Sequence, residues 1–343
     1  MNETTKRLVW HAVRLVVVAA LVALVLWRTD LGETAAVAGR LADRWGWALA
    51  ALGVMMLQSP LGAVRWRMLL AVQGVHLTFL ESLRLTYLGW FFNNWMPGST
   101  GGDFVKAYYV ARQTHHQAEA VTVVFVDRFI GLVAVCMMGG VAVFASLNDE
   151  RVRVARLIVA AFLVFVLVGG TVFYNRRLRA LLRVDWMLAR LPLRRTVEKV
   201  DRALLAYRHH KGTVALAIVY SWGAQAVGIL AMWWVAVALG SRAVWFHYFV
   251  AVPAIWIGWS LVPVPGGFGV AEGLAQGLFG SAVLSGDAAA APFTDAEAAA
   301  LALAMMLAYR IVQMLVSLPG AYFYLTRRTG VSASAMARQI KEG

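Results

Sequence analysis

Long apolar stretches dominate the chain, and charged residues collect between them. A transmembrane helix needs about 20 mainly apolar residues to cross about 30 Å of hydrocarbon. The stretches that satisfy this length are roughly 8–27, 45–64, 119–147, 154–174, 213–239 and 298–325. The pattern therefore predicts an all-α integral membrane protein with six full spans.

Two further apolar blocks, 79–113 and 245–285, are broken in the middle by Pro and Gly. Because the six spans already account for the crossings, each block is predicted to enter and leave on one face, as a re-entrant helical hairpin. Backbone outside regular helices is tolerated at membrane depth only where it is buried in protein or lines a wet cavity. Two hairpin tips therefore predict a central cavity.

The distribution of basic residues predicts the orientation. Eleven Lys and Arg residues lie between Arg176 and Lys211, interleaved with leucines, which is typical of a cytoplasmic amphipathic connector over 176–211. The loop 281–296 has no Lys or Arg and is expected on the opposite face. This arrangement places both termini in the cytoplasm of a multi-pass inner-membrane protein and residues 28–44 outside. The arginines of 148–156 fit it poorly.

The two broken blocks share an ordered string of residues. Tyr87-Leu88-Gly89-Trp90 precedes Pro97-Gly98 and Asp103, as Trp256-Ile257-Gly258-Trp259 precedes Pro265-Gly266 and Glu272. We interpret this as an inverted-topology repeat within one membrane domain, 1–343, with halves 8–147 and 154–325. The alternative is chance, because short strings of this kind recur in a chain with 14 Trp and 30 Gly.

Composition excludes a soluble fold. Apolar residues make up 61% of the chain, charged residues 15%, and the mean hydropathy is +0.67. The excess of Lys and Arg lies between the apolar blocks, where it faces lipid headgroups rather than nucleic acid. No metal, phosphate-loop or serine-nucleophile motif occurs, so we expect no catalytic residue, no metal and no cofactor. The lone Cys136 is expected to be a packing residue.

The first hairpin tip has the composition of an anion site. Glycines let backbone N–H groups approach a ligand, and a helix starting near Asp103 would present its unpaired amides and positive dipole end to a phosphate. Lys106, one turn further on, is expected to face that phosphate. Alternatively, Asp103 only caps the helix. The candidate residues at this tip are Asn93, Asn94, Pro97, Gly98, Gly101, Gly102, Asp103 and Lys106.

The second tip repeats the design with fewer polar side chains. Its candidate residues are Pro265, Gly266, Gly267, Gly269 and Glu272. An ionisable group such as Glu272 is costly at membrane depth and is therefore a functional candidate. The alternative is a scaffold role, in which Glu272 binds Arg310 or the amides of a helix end. At both tips we expect the paired glycines to supply positive φ or close approach to the ligand.

Charged residues within the long spans complete the candidate site. Asp127 and Arg128 are adjacent on a helix, point about 100° apart and so need different partners. Arg128 and Arg310 are candidates for gripping a phosphodiester, because a guanidinium stays charged and offers a planar donor fork. The alternative is that each arginine clamps hairpin carbonyls.

Three strings together resemble the flippase-like membrane family related to the membrane part of lysylphosphatidylglycerol synthetase. They are Asn94-Trp95-Met96-Pro97-Gly98 with Gly101-Gly102-Asp103, Val126-Asp127-Arg128, and Val264-Pro265-Gly266-Gly267-Phe268-Gly269 with Glu272. The resemblance implies an eight-segment helical domain with a lipid-accessible cavity that moves modified or isoprenoid-type lipids between leaflets. The aminoacylating activity of that synthetase is not carried over.

We therefore expect a lipid flippase or scramblase for an anionic, phosphate-bearing lipid, either a phospholipid or an isoprenoid-linked lipid. The expected partners are membrane lipids and no nucleic acid, and the oligomeric state, including a homo-oligomer, stays open. One alternative is a secondary transporter of a small organic anion, which a closed cavity would favour. Another is a membrane-embedded transferase acting on a lipid-linked group, which a metal-ready pair of carboxylates would favour.

Cysteine labelling tests the predicted orientation. Gln113→Cys and Ala289→Cys, each in a Cys136→Ala background, should react with a membrane-impermeant maleimide from opposite faces of sealed vesicles, because the basic clusters place their loops on opposite sides. Reaction of both from the same face would contradict the inverted repeat.

Overall fold

The computed structural model describes residues 31–95, 101–114, 117–174, 207, 210–261, 269–286 and 293–326. Every regular element in this part of the chain is helical, as the hydrophobic pattern predicts. The α-helices are α1 Leu31–Asp43, α2 Trp45–Met56, α3 Gln58–Val72, α4 Phe79–Trp95, α5 Gly101–Thr114, α6 Gln117–Ala145, α7 Arg153–Tyr174, α8 Lys211–Leu239, α9 Trp245–Leu261, α10 Val270–Leu278, α11 Ser281–Leu284 and α12 Asp295–Thr326. A 3-10 turn, Glu150–Val152, precedes α7.

Among the described residues, four segments are long and apolar enough to cross a membrane. They are Trp45–Val72, formed by α2 and α3, then Ala120–Ala145 within α6, then α8 and α12. These segments overlap four of the six predicted spans, namely 45–64, 119–147, 213–239 and 298–325. The predicted span 154–174 coincides with the 22-residue helix α7, while 8–27 lies outside the described residues. The protein is therefore a multi-pass membrane protein, and the count of six spans stays a prediction.

The breaks in the two interrupted blocks fall where the sequence places them. Helix α4 ends at Trp95 and α5 begins at Gly101; α9 ends at Leu261 and α10 begins at Val270. The residue before a proline is disfavoured in helical conformation, so Pro97 and Pro263 favour the two interruptions. Pro97, Gly98, Pro265, Gly266 and Gly267 lie outside the described residues. The segment 28–44, which we expected to be a connection between spans, contains helix α1.

Two helix contacts organise the described part of the molecule. Helix α8 packs along α2 and α3, and α12 packs along α4. Each interrupted block also contacts itself, α4 against α5 and α9 against α10, and its second helix contacts the long helix that follows, α5 against α6 and α10 against α12. Buried apolar side chains fill two clusters, one around α3, α4, α5 and α6, the other around α8, α9, α10 and α12.

Helix α7 has an outward face of large apolar side chains. Val154, Leu157, Val164, Phe165 and Leu167 are all exposed. A continuous apolar surface of this kind is unfavourable in water but matches the acyl chains of a bilayer. This face therefore marks α7 as lipid-facing.

The turn between α6 and α7 is tied to the start of α9. Asp149 lies 2.7 Å from His247 Nε2 and accepts hydrogen bonds from the backbone and side chain of Arg151. Partial burial raises the pKa of Asp149, but the hydrogen bonds from Arg151 and His247 outweigh it, so the pKa lies below its usual value. The carboxylate thus holds the loop between α6 and α7 against the second interrupted block.

The closest approach between α4 and α12 is made by a glycine. A Cβ built on Gly320 would overlap the carbonyl oxygen of Tyr87 and lie 2.7 Å from the Cβ of Phe91. Small residues let membrane helices approach until their backbones touch, which increases van der Waals contact. Gly320 is therefore a packing requirement of the fold.

We expect Gly320→Ala to destabilise the protein by about 1–3 kcal/mol, because the added methyl must push α4 and α12 apart. Gly53→Ala is the matched control, since a Cβ there meets nothing within 4 Å on a helix and alanine favours the helical state by about 0.5–1 kcal/mol. Melting temperatures in detergent provide the comparison. Equal melting temperatures for the two variants would show that this contact is not tight.

Candidate functional site

Asp103 is the centre of a three-residue charged cluster at the first interruption. It is the third residue of α5, where the unpaired amides and dipole of a helix start favour negative charge. Its buried carboxylate accepts from Lys106 Nζ at 2.8 Å, and its other oxygen pairs with the Arg128 guanidinium of α6. One carboxylate therefore faces two cations, and the cluster has a net charge of +1.

Lys106 is enclosed between α3, α4 and its own helix α5. Its ammonium lies 4.4 Å from the centre of the Trp66 ring of α3, a cation–π contact. Its stem crosses Gly89, where a Cβ would lie 2.9 Å from Lys106 Cδ. We expected Lys106 to face a phosphate, but its ammonium contacts Asp103 and Trp66 instead. Any effect of Lys106 on a ligand is therefore indirect, through its ion pair with Asp103.

Arg128 is the accessible member of the cluster. Half of its side chain, 50%, is exposed, against 10% for each of Asp103 and Lys106. A guanidinium has five N–H donors in a planar fork, and half of this side chain is open to solvent. Arg128 is therefore the group of this cluster that a ligand can reach.

Two asparagines near the end of α4 bond to backbone groups, one at the start of α5 and the other within α4. Asn93 Oδ1 accepts from the Gly102 backbone N–H at 2.8 Å, so one of the amides expected to face an anion is already used. Asn94 Nδ2 donates to the Trp90 carbonyl within its own helix at 2.9 Å. Neither amide side chain is thereby directed at a ligand.

The reason for a glycine at 102 differs from the one we expected. Gly102 is helical rather than in the left-handed region, and a Cβ there would overlap the carbonyl oxygen of Gly89. The requirement is therefore close packing of α4 against α5. Gly101 begins α5. At the second interruption, Gly269 adopts positive φ, 80°, whereas Gly266 and Gly267, for which we expected such a conformation, lie outside the described residues.

Glu272 occupies the corresponding place at the second interruption. It is the third residue of α10, is buried, and accepts from Arg310 Nε of α12 at 2.7 Å and from the Gly269 backbone N–H at 2.8 Å. The Arg310 guanidinium carbon lies 5.6 Å from the Trp259 ring centre, and its side chain is only 11% exposed. This pair is neutral and enclosed, as in the scaffold alternative for Glu272.

The two clusters share one carboxylate–arginine pairing. In each, the third residue of the second helix of the interrupted block is a carboxylate that pairs with an arginine on the next long helix. They differ in two respects: the first has a second cation, Lys106, and the side chain of its arginine is 50% exposed, whereas that of the second is 11% exposed. The shared pairing connects four of the six charged residues that the sequence singled out.

A third ion pair contains a residue that sequence reasoning missed. Asp127 is bound side-on by Arg65 of α3, with Nε 2.8 Å from one oxygen and Nη2 2.9 Å from the other, and Arg65 Nη1 donates to Ser221 of α8 at 2.7 Å. Arg65 directly follows the predicted span 45–64 and so resembled a flanking basic residue. The signal was available in Asp127, which needed a partner other than Arg128.

The carboxylates of the site are used in ion pairs rather than in metal-ready groups. Within the described residues, no three His, Cys, Asp or Glu side chains lie close enough to hold a metal ion. Asp103, Asp127 and Glu272 each contact a different arginine. The arrangement can bind an anion through a cation that is still accessible, and that cation is Arg128.

Helices, ion pairs at membrane depth and a lipid-facing surface define a polytopic α-helical membrane protein. The family described as lysylphosphatidylglycerol synthase TM region matches residues 11–320, so the chain belongs to this family, and the resemblance seen in the motifs is confirmed. A UPF0104 membrane protein of Pyrococcus horikoshii is 23% identical over 291 residues, which cover 77% of this chain and 85% of the relative. No solved structure matches the chain.

Proposed function

We propose that this protein moves an anionic, phosphate-bearing lipid between the leaflets of the membrane, as a flippase or scramblase. The observation that carries the proposal is the cluster of Asp103, Lys106 and Arg128, which has a net positive charge and an accessible guanidinium. The other two ion pairs of the site are neutral. The excess positive charge of the cluster therefore favours a ligand anion at its accessible arginine.

The chemistry of Arg128 suits a phosphate. A guanidinium makes two parallel hydrogen bonds to phosphate oxygens, and these bonds are stronger where water is scarce. Arg128 is half exposed to solvent. A phosphate that replaced this solvent would neutralise the charge of the cluster. A phospholipid and an isoprenoid-linked phosphate both satisfy this description.

The surface beside Arg128 favours a lipid over a small soluble anion. Phe129, next to Arg128 on α6, is exposed, and further along the same helix Met137, Val141 and Phe144 are exposed as well. A headgroup at Arg128 would lie beside Phe129, with its acyl or prenyl chains against this exposed apolar residue. The alternative, a small organic anion, predicts an enclosed cavity around the cation, and Arg128 is too exposed for that.

We further propose six spans, two re-entrant hairpins and an inverted repeat of halves 8–147 and 154–325. Three features support this architecture: the matched carboxylate–arginine pairs, the central contact of α8 with α2 and α3, and the contact of each hairpin with its following long helix. In the repeat, α2 with α3 and α8 are equivalent, as expected for helices beside a pseudo-two-fold axis.

The proposal assigns no catalytic step to this chain and no cofactor. No ATP-binding motif occurs in the sequence, so movement is downhill or ion-coupled. The basic connector 176–211 and both termini would lie on the cytoplasmic side of the inner membrane, where basic segments meet anionic lipid.

Lipid transport in liposomes tests the proposal. Wild-type protein should expose a fluorescent phosphatidylglycerol of the inner leaflet to an external quencher, and Arg128→Gln should slow this about tenfold or more, because a charge-assisted hydrogen-bonded contact is worth at least about 1.4 kcal/mol. Arg128→Lys should be intermediate, since it keeps the charge and loses the fork.

The matched control is Arg67→Gln, an exposed arginine on α3 outside the cluster, which should transport lipid at the wild-type rate. The same liposomes should take up no soluble glycerol phosphate. Wild-type liposomes no faster than empty ones would refute the proposal, and so would an Arg128→Gln protein that transports normally. Uptake of glycerol phosphate without lipid movement would favour the small-anion transporter instead.

A further inference from the structure

Arg128 and Arg310 each pair with a buried carboxylate, and the two carboxylates would keep different partners if their arginines moved away. If Arg128 moved away, Asp103 would keep Lys106 at 2.8 Å and its place in the first turn of α5. If Arg310 moved away, Glu272 would keep the Gly269 amide, and no other cation pairs with it among the described residues. A buried carboxylate without a cation is strongly unfavourable. Release is therefore far easier at Arg128.

We infer that Lys106 is a positioning residue that holds Asp103 so that Arg128 can exchange this carboxylate for a lipid phosphate. Arg310 has no such arrangement and stays fixed to Glu272. The inference rests on the proposed function and adds a working cycle to it. Asp103 pairs with Arg128 when no lipid is bound, and the lipid phosphate takes the place of Asp103 when lipid binds. In this cycle one hairpin binds the headgroup and the other is a fixed scaffold.

The position of Lys106 fits this indirect role. Its stem lies across Gly89 and its ammonium lies between the Asp103 carboxylate and the Trp66 ring. It is buried, so it contacts a bound phosphate poorly, yet its charge offsets that of Asp103 whether or not Arg128 is present. Without Lys106, a phosphate would have to take Arg128 from a buried carboxylate that has lost its other cation.

A three-variant comparison tests the inference. Lys106→Met keeps an unbranched stem over Gly89 and removes the charge; Asp103→Asn removes the internal competitor; the double variant removes both. The readouts are the phosphatidylglycerol concentration that gives half of the maximal thermal stabilisation in detergent, and lipid transport in liposomes. Both use the full-length protein.

Lys106→Met should raise the half-maximal phosphatidylglycerol concentration about tenfold, because Asp103 then loses the cation Lys106 and holds Arg128 more tightly. Adding Asp103→Asn should recover most of that loss, because the arginine is released from its competitor, and this reversal is a coupling that independent sites do not show. A double variant as weak as Lys106→Met would overturn the inference.

Asp103→Asn alone keeps the inference testable if Lys106→Met fails to fold. It should lower the half-maximal phosphatidylglycerol concentration, because the amide competes weakly for the guanidinium; an unchanged or higher concentration would contradict the exchange. A purely structural cluster predicts weaker binding in all three variants. The exposed-arginine variant Arg67→Gln is again the control.

The same data separate this inference from the proposed function. Wild-type protein that binds phosphatidylglycerol with the predicted variant pattern but transports none supports the exchange and refutes the transport function. Wild-type protein that transports lipid without the variant pattern refutes the exchange alone. Wild-type protein that shows neither binding nor transport refutes both.

Discussion

The cost of burying charge at membrane depth is the constraint on which this structure depends. Asp103, Asp127 and Glu272 are buried, and each contacts an arginine from a different helix. Unpaired, each carboxylate would cost several kcal/mol; paired, it ties its helix to a neighbour. Two of these pairs fasten the interrupted blocks to the long helices that follow, and the third joins α3 to α6 and, through Ser221, to α8. The packing of the interrupted blocks against the long helices is therefore set by charge as much as by apolar contact.

Part of this arrangement follows from the amino-acid pattern. The interruptions follow from Pro97 and Pro263, and the importance of Arg128 and Arg310 follows from the rarity of charge within apolar helices. Pairing does not follow, because it depends on which helix faces come together. Arg65 resembled a residue flanking a span, and it became visible as the partner of Asp127 only when α3 packed against α6. Gly102 was expected to supply an unusual backbone conformation, whereas its role is contact with Gly89. That contact joins residues of two helices, which the pattern along one helix does not record.

The two carboxylate–arginine sites differ in accessibility, and the proposed repeat would therefore have functionally unequal halves. The first arginine is half exposed and belongs to a cluster of charge +1, whereas the second is enclosed in a neutral pair. In our proposal the first half binds the phosphate and the second half provides the fixed frame against which it moves. The exposed apolar residues of α6 would keep the lipid tails in the bilayer. Electrostatic attraction and amphipathic shape would then select an anionic lipid together, with no further polar contacts needed.

The most direct test of this division of roles is an electron cryo-microscopy structure of the full-length protein in nanodiscs containing phosphatidylglycerol. The account predicts lipid phosphate density within hydrogen-bond distance of Arg128. It also predicts that Asp103 has moved off the guanidinium but still contacts Lys106, and that the Glu272–Arg310 pair is intact. Phosphate bound to Arg310, with the Asp103–Arg128 pair closed, would contradict it.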